Sequence, residues 1–157
     1  MKREYEMTIH RETCVWCVSW HTDAMNDCIF CNIIKCEIPA YVVYEDDDAL
    51  AFLDIHPVTR GHLLVIPKKH HSDIATMPTD DYITLWETVQ KFLNPLRTAV
   101  DAKRTGIVVE GFGVDHVHVH LVPINHGNEM NPEHAHSISA EELTALQSQL
   151  ETVFKEI

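Results

Sequence analysis

Basic residues are scarce in this sequence of 157 residues. Twelve lysines and arginines stand against 24 aspartates and glutamates, and the formal net charge is −12 at pH 7. A surface this acidic repels the phosphate backbone of DNA and RNA, which argues against nonspecific nucleic-acid binding. A small anionic ligand is still compatible if its site is locally positive. Positive and titratable groups gather in one place, residues 60–71.

Long apolar runs are also missing. No stretch approaches the roughly 20 apolar residues that cross a bilayer as a helix. The first six residues are mostly charged, unlike the apolar core of a secretory signal peptide. We therefore expect a soluble, cytoplasmic protein with no membrane partner, and its length fits one compact domain.

The chain after residue 27 alternates short β-rich runs with helical patterns. Apolar spacing predicts a short helix at 28–34, a long helix that has Thr79 as its N-cap and kinks or ends early at Pro95, and a C-terminal helix capped by Ser139. The β-rich runs predict five strands, at 41–44, 49–53, 62–66, 106–109 and 116–123. Hairpins in sequence with helices between them indicate an α+β domain on an antiparallel sheet.

Three histidines recur at alternate positions in the last predicted strand: His116, His118 and His120. Because side chains alternate between the faces of a strand, the three imidazoles should line one face about 7 Å apart, and the residues between them should face the core. Such a row can hold a metal, grip a phosphate or supply a nucleophile with its helpers. A neutral imidazole, with a pKa of about 6.5, is a competent nucleophile at neutral pH.

Residues 116–122 match, at every position, the His-φ-His-φ-His-φ-φ motif of the histidine-triad (HIT) family, in which φ is apolar. The chain resembles the Hint-like, zinc-containing bacterial type of that family over residues 28–125. The similar blocks are Cys28–Ile34, Glu37–Ala40, Val43–Asp46, Ala51–Ile55 and Gly61–Lys68. The resemblance implies a HIT-like fold, with an antiparallel sheet of about five strands and a central helix. Residues 1–27 are then an N-terminal extension, and residues 126–157 add a C-terminal loop and helix.

The resemblance also implies roles in nucleotide chemistry. His118 is the implied nucleophile, which attacks the α-phosphorus and forms a nucleotidyl-histidine that water hydrolyses. His120 and His62 are the implied phosphate contacts, and Asp54 is the implied acceptor for the ribose hydroxyls. A purine base is expected at the matching apolar positions, which are Phe30, Ile33, Ile38, Phe52, Leu53 and Ile55.

The sequence departs from the family pattern just before the triad. The common branches carry a Gly-Gln-Ser/Thr segment there, whereas residues 109–115 contain neither Gln nor Ser. Gly113 can offer a backbone N–H in place of the hydroxyl.

Three functions stay open: action on nucleoside phosphoramidates or other AMP–X substrates, hydrolysis of dinucleoside polyphosphates, and a nucleotide-binding scaffold with weak catalysis. The resemblance further implies a homodimer, with the Thr79 helix and a strand at the interface.

Four of the five cysteines form two Cys-x-x-Cys pairs, a spacing that favours a metal or redox site over a disulfide. For the pair Cys28 and Cys31, the resemblance implies a structural zinc site completed by His70 and His116. His71 is the alternative to His70, and two reduced buried cysteines are the alternative to a metal. This zinc would take His116 out of catalysis, and the chemistry itself should require no metal.

The second cysteine pair lies in the predicted extension. His10, Cys14, Cys17 and His21 are spaced as a possible second zinc set. The family resemblance does not cover them, so an extension without a metal is the default expectation.

Overall fold

The computed structural model describes residues 28–157. The predicted extension and its possible zinc set lie outside the described residues. Residues 28–157 form three α-helices, α1 (Ile29–Ile34), α2 (Thr79–Ala99) and α3 (Ala140–Phe154). The five strands are β1 (Val42–Glu45), β2 (Ala49–Leu53), β3 (Leu63–Pro67), β4 (Arg104–Val108) and β5 (Val119–Ile124).

The strands form one antiparallel sheet in the order β1-β2-β3-β5-β4. Strand β5 is therefore inserted between β3 and β4, and β4 is an edge strand of this sheet. The predicted α+β class and antiparallel five-stranded sheet are confirmed. Within the described residues, no helix combines the length and apolarity needed to span a bilayer.

The two faces of the sheet have different partners. One face carries Leu63, Val65 and Leu121, which pack in a large core with apolar residues of α2 and α3. The other face carries residues of opposite parity, including Leu64, and its smaller apolar cluster includes Phe30 of α1. Because Leu64 pairs with His120 across β3 and β5, His120 belongs to the face that α1 covers.

Helix α2 differs from its predicted form at both ends. Its N-cap is Pro78, which makes no side-chain capping bond, and Thr79 is the first helical residue. The helix also continues through Pro95 to Ala99 instead of ending there. Its last turns are held because Phe92 and Leu96 are both fully buried in the main core, which outweighs the backbone hydrogen bond that proline removes.

Strand β5 begins later than predicted, at Val119 instead of at residue 116. The reason is a local change of partner: the N–H of Val117 donates to the carbonyl of His71, in the loop after β3. Val117 still packs in the main core, so the predicted alternation of buried apolar residues holds.

Helix α3 packs on its own chain. Ser139 caps it, as predicted, by accepting a hydrogen bond of 3.2 Å from the N–H of Glu142. Gln147 donates through Nε2 to the carbonyl of Val42 in β1 at 2.8 Å. The apolar side of the helix enters the main core, with Leu143, Leu146, Leu150 and Phe154 buried.

Candidate active site and metal site

His118 lies just before β5, and its side chain is buried, with only 5% of its surface exposed. Its Nδ1 donates a hydrogen bond of 2.6 Å to the backbone carbonyl of His116. Since a carbonyl only accepts, the proton of the neutral imidazole sits on Nδ1 and Nε2 keeps its lone pair. The site therefore holds one imidazole nitrogen with nucleophilic character.

His62 and His120 form a directed pair beside His118. The N–H of Val58 donates to Nδ1 of His62 at 3.3 Å, so the proton of a neutral His62 lies on Nε2. That Nε2 is 2.9 Å from Nδ1 of His120. His120 then carries its own proton on Nε2, as a free N–H donor. The ring centroids of His118 and His120 are 5.0 Å apart, so an imidazole with a lone pair on Nε2 neighbours one with an N–H on Nε2.

Both members of this pair are neutral at pH 7. Burial lowers the pKa of His120 to about 4, helped by the neighbouring His62 and His118. Burial also lowers the pKa of His62, although the carboxylate of Asp54 opposes the shift. An anion at this site would therefore meet N–H dipoles first, and these act strongly where water is excluded.

Lys68 and Lys69 are engaged away from the histidine group. The sequence segment 60–71 was expected to supply the local positive charge. Lys68 instead pairs with Glu45 at 2.8 Å, and Lys69 pairs with Asp81 at 2.8 Å. Of that segment, the structure brings only His62 to the triad and His70 to the cysteines.

Asp54 follows β2 and lies next to the histidine pair. One carboxylate oxygen accepts a hydrogen bond of 2.8 Å from the N–H of His56, which fixes the side chain. The other oxygen is 3.5 Å from Nδ1 of His62, and 19% of the side-chain surface is exposed. A carboxylate held in this way can still accept hydrogen bonds from a ligand.

The predicted base-binding residues separate into three groups. Phe30 and Phe52 meet edge to face at 5.6 Å, and Ile33 packs against the same cluster. Leu53 is not among them, because it points to the opposite face of β2 and is buried in the main core. Ile38 is partly exposed, and Ile55 is 55% exposed.

The segment 109–115 is an exposed loop. Gly111 adopts a φ of +76°, in the left-handed region that favours glycine, and a Cβ added at Gly113 would meet no atom within 4 Å. Phe112, between these glycines, is 93% exposed. The loop leaves the predicted phosphate contact of Gly113 open to a ligand.

The four predicted metal ligands lie together at the first turn of α1. Nδ1 of His116 lies 3.5 Å from the sulfur atoms of both Cys28 and Cys31, and Nδ1 of His70 lies 3.4 Å from the sulfur of Cys31. The four candidate ligand atoms are all within 4.8 Å of one another. This group can hold a metal ion.

The geometry and chemistry of the group fit zinc. In a tetrahedral site, zinc–sulfur and zinc–nitrogen bonds of about 2.3 and 2.05 Å imply a sulfur–nitrogen separation of about 3.6 Å, close to the distances found. His116 donates through Nε2 to the carbonyl of Pro67 at 2.9 Å, which directs the lone pair of Nδ1 toward the sulfurs. Burial raises the pKa of the Cys31 thiol to about 12, so a cation must displace its proton to bind.

His71 is not part of this group. Its Nε2 lies 3.1 Å from a carboxylate oxygen of Asp81 in α2. The alternative ligand set with His71 in place of His70 is therefore wrong for this structure. Two groups that orient histidines of these sites could not be predicted from side-chain patterns. They are the carbonyl of Pro67 and the N–H of Val58, which belong to the backbone.

Comparison with known proteins identifies the family. The HIT domain family model matches residues 35–127, more than half of the chain. The chain belongs to the HIT family, as the triad motif predicted. It is 43% identical over 105 residues to a HIT-like protein of Methanocaldococcus jannaschii, a match that covers 64% of this chain and 81% of that protein.

Two further relatives bear on function and metal. The adenosine 5'-monophosphoramidase of Schizosaccharomyces pombe is 35% identical over 138 residues, which cover 82% of this chain and 98% of that protein. The crystal structure of a zinc-bound histidine triad family protein from Mycobacterium smegmatis superposes with a TM-score of 0.70 at 28% identity. That match covers 83% of this chain and 94% of the other.

Proposed function

We propose that this protein is a nucleotide hydrolase or transferase that acts at the α-phosphate of a nucleoside phosphoramidate or another AMP–X compound, with His118 as the nucleophile. The observation that carries the proposal is the hydrogen bond from Nδ1 of His118 to the carbonyl of His116, because it leaves the Nε2 lone pair uncommitted. The name of the Schizosaccharomyces pombe relative, an adenosine 5'-monophosphoramidase, supports this substrate class.

The reaction proceeds in two displacements. Nε2 of His118 attacks the α-phosphorus and forms a P–N bond, while the bond from phosphorus to X breaks. The leaving group departs with the electron pair of that bond and takes a proton from solvent, because His62 and His120 are neutral at pH 7 in the free protein. The Nε2–H of His120 donates to a phosphoryl oxygen as its charge grows.

Water completes the cycle. It attacks the phosphorus of the nucleotidyl-histidine, loses a proton to solvent and breaks the P–N bond, whose electron pair returns to Nε2. AMP is released. In a transfer reaction, another nucleophile replaces water. During both steps the Nδ1–H bond to the carbonyl of His116 stabilises the positive charge on the ring.

Substrate binding uses groups around the triad. Asp54 accepts hydrogen bonds from the ribose hydroxyls, and its partial exposure beside His62 supports this role. A purine ring packs against the apolar cluster of Phe30, Ile33 and Phe52. The backbone N–H of Gly113 contacts the phosphate from the open loop.

We also propose that Cys28, Cys31, His70 and His116 hold a structural zinc ion. The tetrahedral fit of these ligands and the zinc-bound relative of Mycobacterium smegmatis support it. The ion supplies a cross-link between α1, the loop after β3 and the chain before β5, and it takes no part in the phosphoryl chemistry.

The protein forms a homodimer in this proposal. Strand β4 is an edge strand and carries Ile107, which is 37% exposed. Tyr82 and Ile83 on the adjacent helix α2 are 41% and 48% exposed. An exposed edge with apolar neighbours favours pairing with a second copy of the chain.

Two substrates and three proteins test the function. Adenosine 5'-phosphoramidate and diadenosine tetraphosphate are offered to wild type, His118→Ala and the control His134→Ala, whose histidine is exposed and outside the site. We expect wild type and the control to turn over the phosphoramidate. In His118→Ala we expect the turnover rate to fall at least 1000-fold, because removal of the nucleophile abolishes the covalent route.

The other outcomes decide between the remaining functions. Preferential cleavage of the tetraphosphate would replace this proposal with a dinucleoside polyphosphate hydrolase. AMP binding with no turnover of either substrate would favour the nucleotide-binding scaffold.

A further inference from the structure

Two separate routes, each a chain of contacts, connect the candidate metal ligands to the nucleophile. The first route runs through His116, whose side chain is fully buried. Both nitrogens of its ring are committed, with Nδ1 facing the two cysteine sulfurs and Nε2 donating to the carbonyl of Pro67. The backbone carbonyl of this same residue accepts the proton of His118 Nδ1 at 2.6 Å. A displaced His116 would therefore displace the acceptor that orients His118.

The second route runs through Phe30, which lies between Cys28 and Cys31 in the sequence. Its ring meets the ring of His118 edge to face, with centroids 5.2 Å apart and an interplanar angle of 72°. It makes a similar contact with His116, at 5.9 Å and 78°. Helix α1 has only six residues and no helix of that length is stable alone, so its position depends on what ties it down.

We propose that the metal site formed by Cys28, Cys31, His70 and His116 positions His118 for attack, through the carbonyl of His116 and the ring of Phe30. His116 and Phe30 are thus positioning residues, and the ion does more than tie α1 to the sheet. A displacement of about 1 Å at a reacting group can lower a rate about 100-fold. The catalytic part of this inference rests on the proposed function.

Removal and return of zinc is the first test. The full chain is reconstituted with Zn²⁺, stripped with a chelator and then given Zn²⁺ again. We expect kcat for the phosphoramidate to fall 10- to 100-fold on stripping and to recover on addition. A chain that binds no Zn²⁺, or that keeps its kcat when stripped but folded, overturns the proposal.

A spectroscopic measurement separates this proposal from the proposed function. In protein with ¹⁵N-labelled histidine, the ring nitrogens of His118 report which one carries the proton. With zinc we expect one tautomer, protonated at Nδ1, and without zinc a mixture of both. This readout holds even if the protein cleaves none of the nucleotides tested, which would contradict only the proposed function. A single unchanged tautomer without zinc overturns the positioning role.

Substitution of Phe30 tests the second route. Phe30→Leu keeps an apolar side chain but loses the ring edge against His118, and Phe30→Tyr restores a ring. We expect kcat to fall about tenfold in Phe30→Leu and to recover in Phe30→Tyr. Leu146→Ala is the control and should keep its kcat, because Leu146 is buried in the main core and lies outside the proposed catalytic and binding groups. A change in KM alone would show that Phe30 only contacts the base, and would overturn this route.

Discussion

Nε2 of His62 lies 2.9 Å from Nδ1 of His120, although 58 positions separate the two residues in the sequence. His62 precedes β3 and His120 is in β5, and these two strands are neighbours in the sheet. The pairing of β3 with β5 thus assembles the donor side of the site beside His118. It also places a buried histidine, His62, against a partly buried one, His120, and the protonation of either opposes folding.

Stability should fall as the solution is acidified. The pKa of His120 is lowered from 6.5 to about 4 by burial, so between these pH values the unfolded chain binds a proton that the folded chain does not. The free energy of unfolding then decreases as pH falls through this window, by at most about 1.4 kcal/mol per pH unit for one histidine. Urea unfolding of wild type and His120→Gln at pH 7.5, 6 and 5 measures this decrease in the free energy of unfolding. We expect a shallower decrease in His120→Gln, and equal slopes would contradict the assignment.

Replacement of Asp54 should weaken nucleotide binding without unfolding the protein. Asn keeps an oxygen that can accept from the N–H of His56 but loses the charge that the ribose hydroxyls meet. We expect Asp54→Asn to raise the Kd for AMP about tenfold, since a hydrogen bond to a charged group contributes about 1.5–3 kcal/mol. Calorimetric titration with AMP and 2'-deoxy-AMP checks this. The loss should be smaller for the deoxy ligand, and Asp115→Asn, at an exposed carboxylate, should bind AMP normally.

The C-terminal helix should contribute strongly to stability. Leu150 is fully buried in the core shared with α2, so Leu150→Ala leaves a cavity and should cost about 2–5 kcal/mol. Thermal and urea unfolding measure the loss. Ser148→Ala, two positions earlier on the exposed side, should stay within about 0.5 kcal/mol of wild type. A loss below about 1 kcal/mol for Leu150→Ala would mean that α3 is not part of the folded core.

The association state can be changed at the edge of the sheet. Ile107→Lys places a charge on β4, and a charged edge strand resists pairing. We expect wild type to have the mass of a dimer by light scattering and Ile107→Lys to have that of a monomer. Ile29→Lys, at a residue on α1 that is 44% exposed, should remain a dimer. Monomeric wild type at all concentrations would disprove the proposed interface.

Much of the fold was predictable because its signals are local. Alternating apolar residues mark the strands, and Ser139 followed by Glu142 marks the start of α3. The spacing of His116, His118 and His120 identified the family and the site face without any knowledge of partners. The expected N-cap at Thr79 and the alternative of an early end at Pro95 were wrong, because a proline N-cap and tertiary packing replaced the expected local signals.

The sequence by itself determined which side chains are present, their order along the elements and the family to which the chain belongs. Only the tertiary structure decided that Leu53 lies on the opposite face of the sheet from the base-binding cluster. It also decided that His70 and not His71 contacts the cysteines, and that α3 packs in the main core of the same chain. The physical reason is that these outcomes depend on strand register and on backbone partners distant in the chain. The carbonyl of His116 carries no side-chain signature, yet it sets the tautomer of His118.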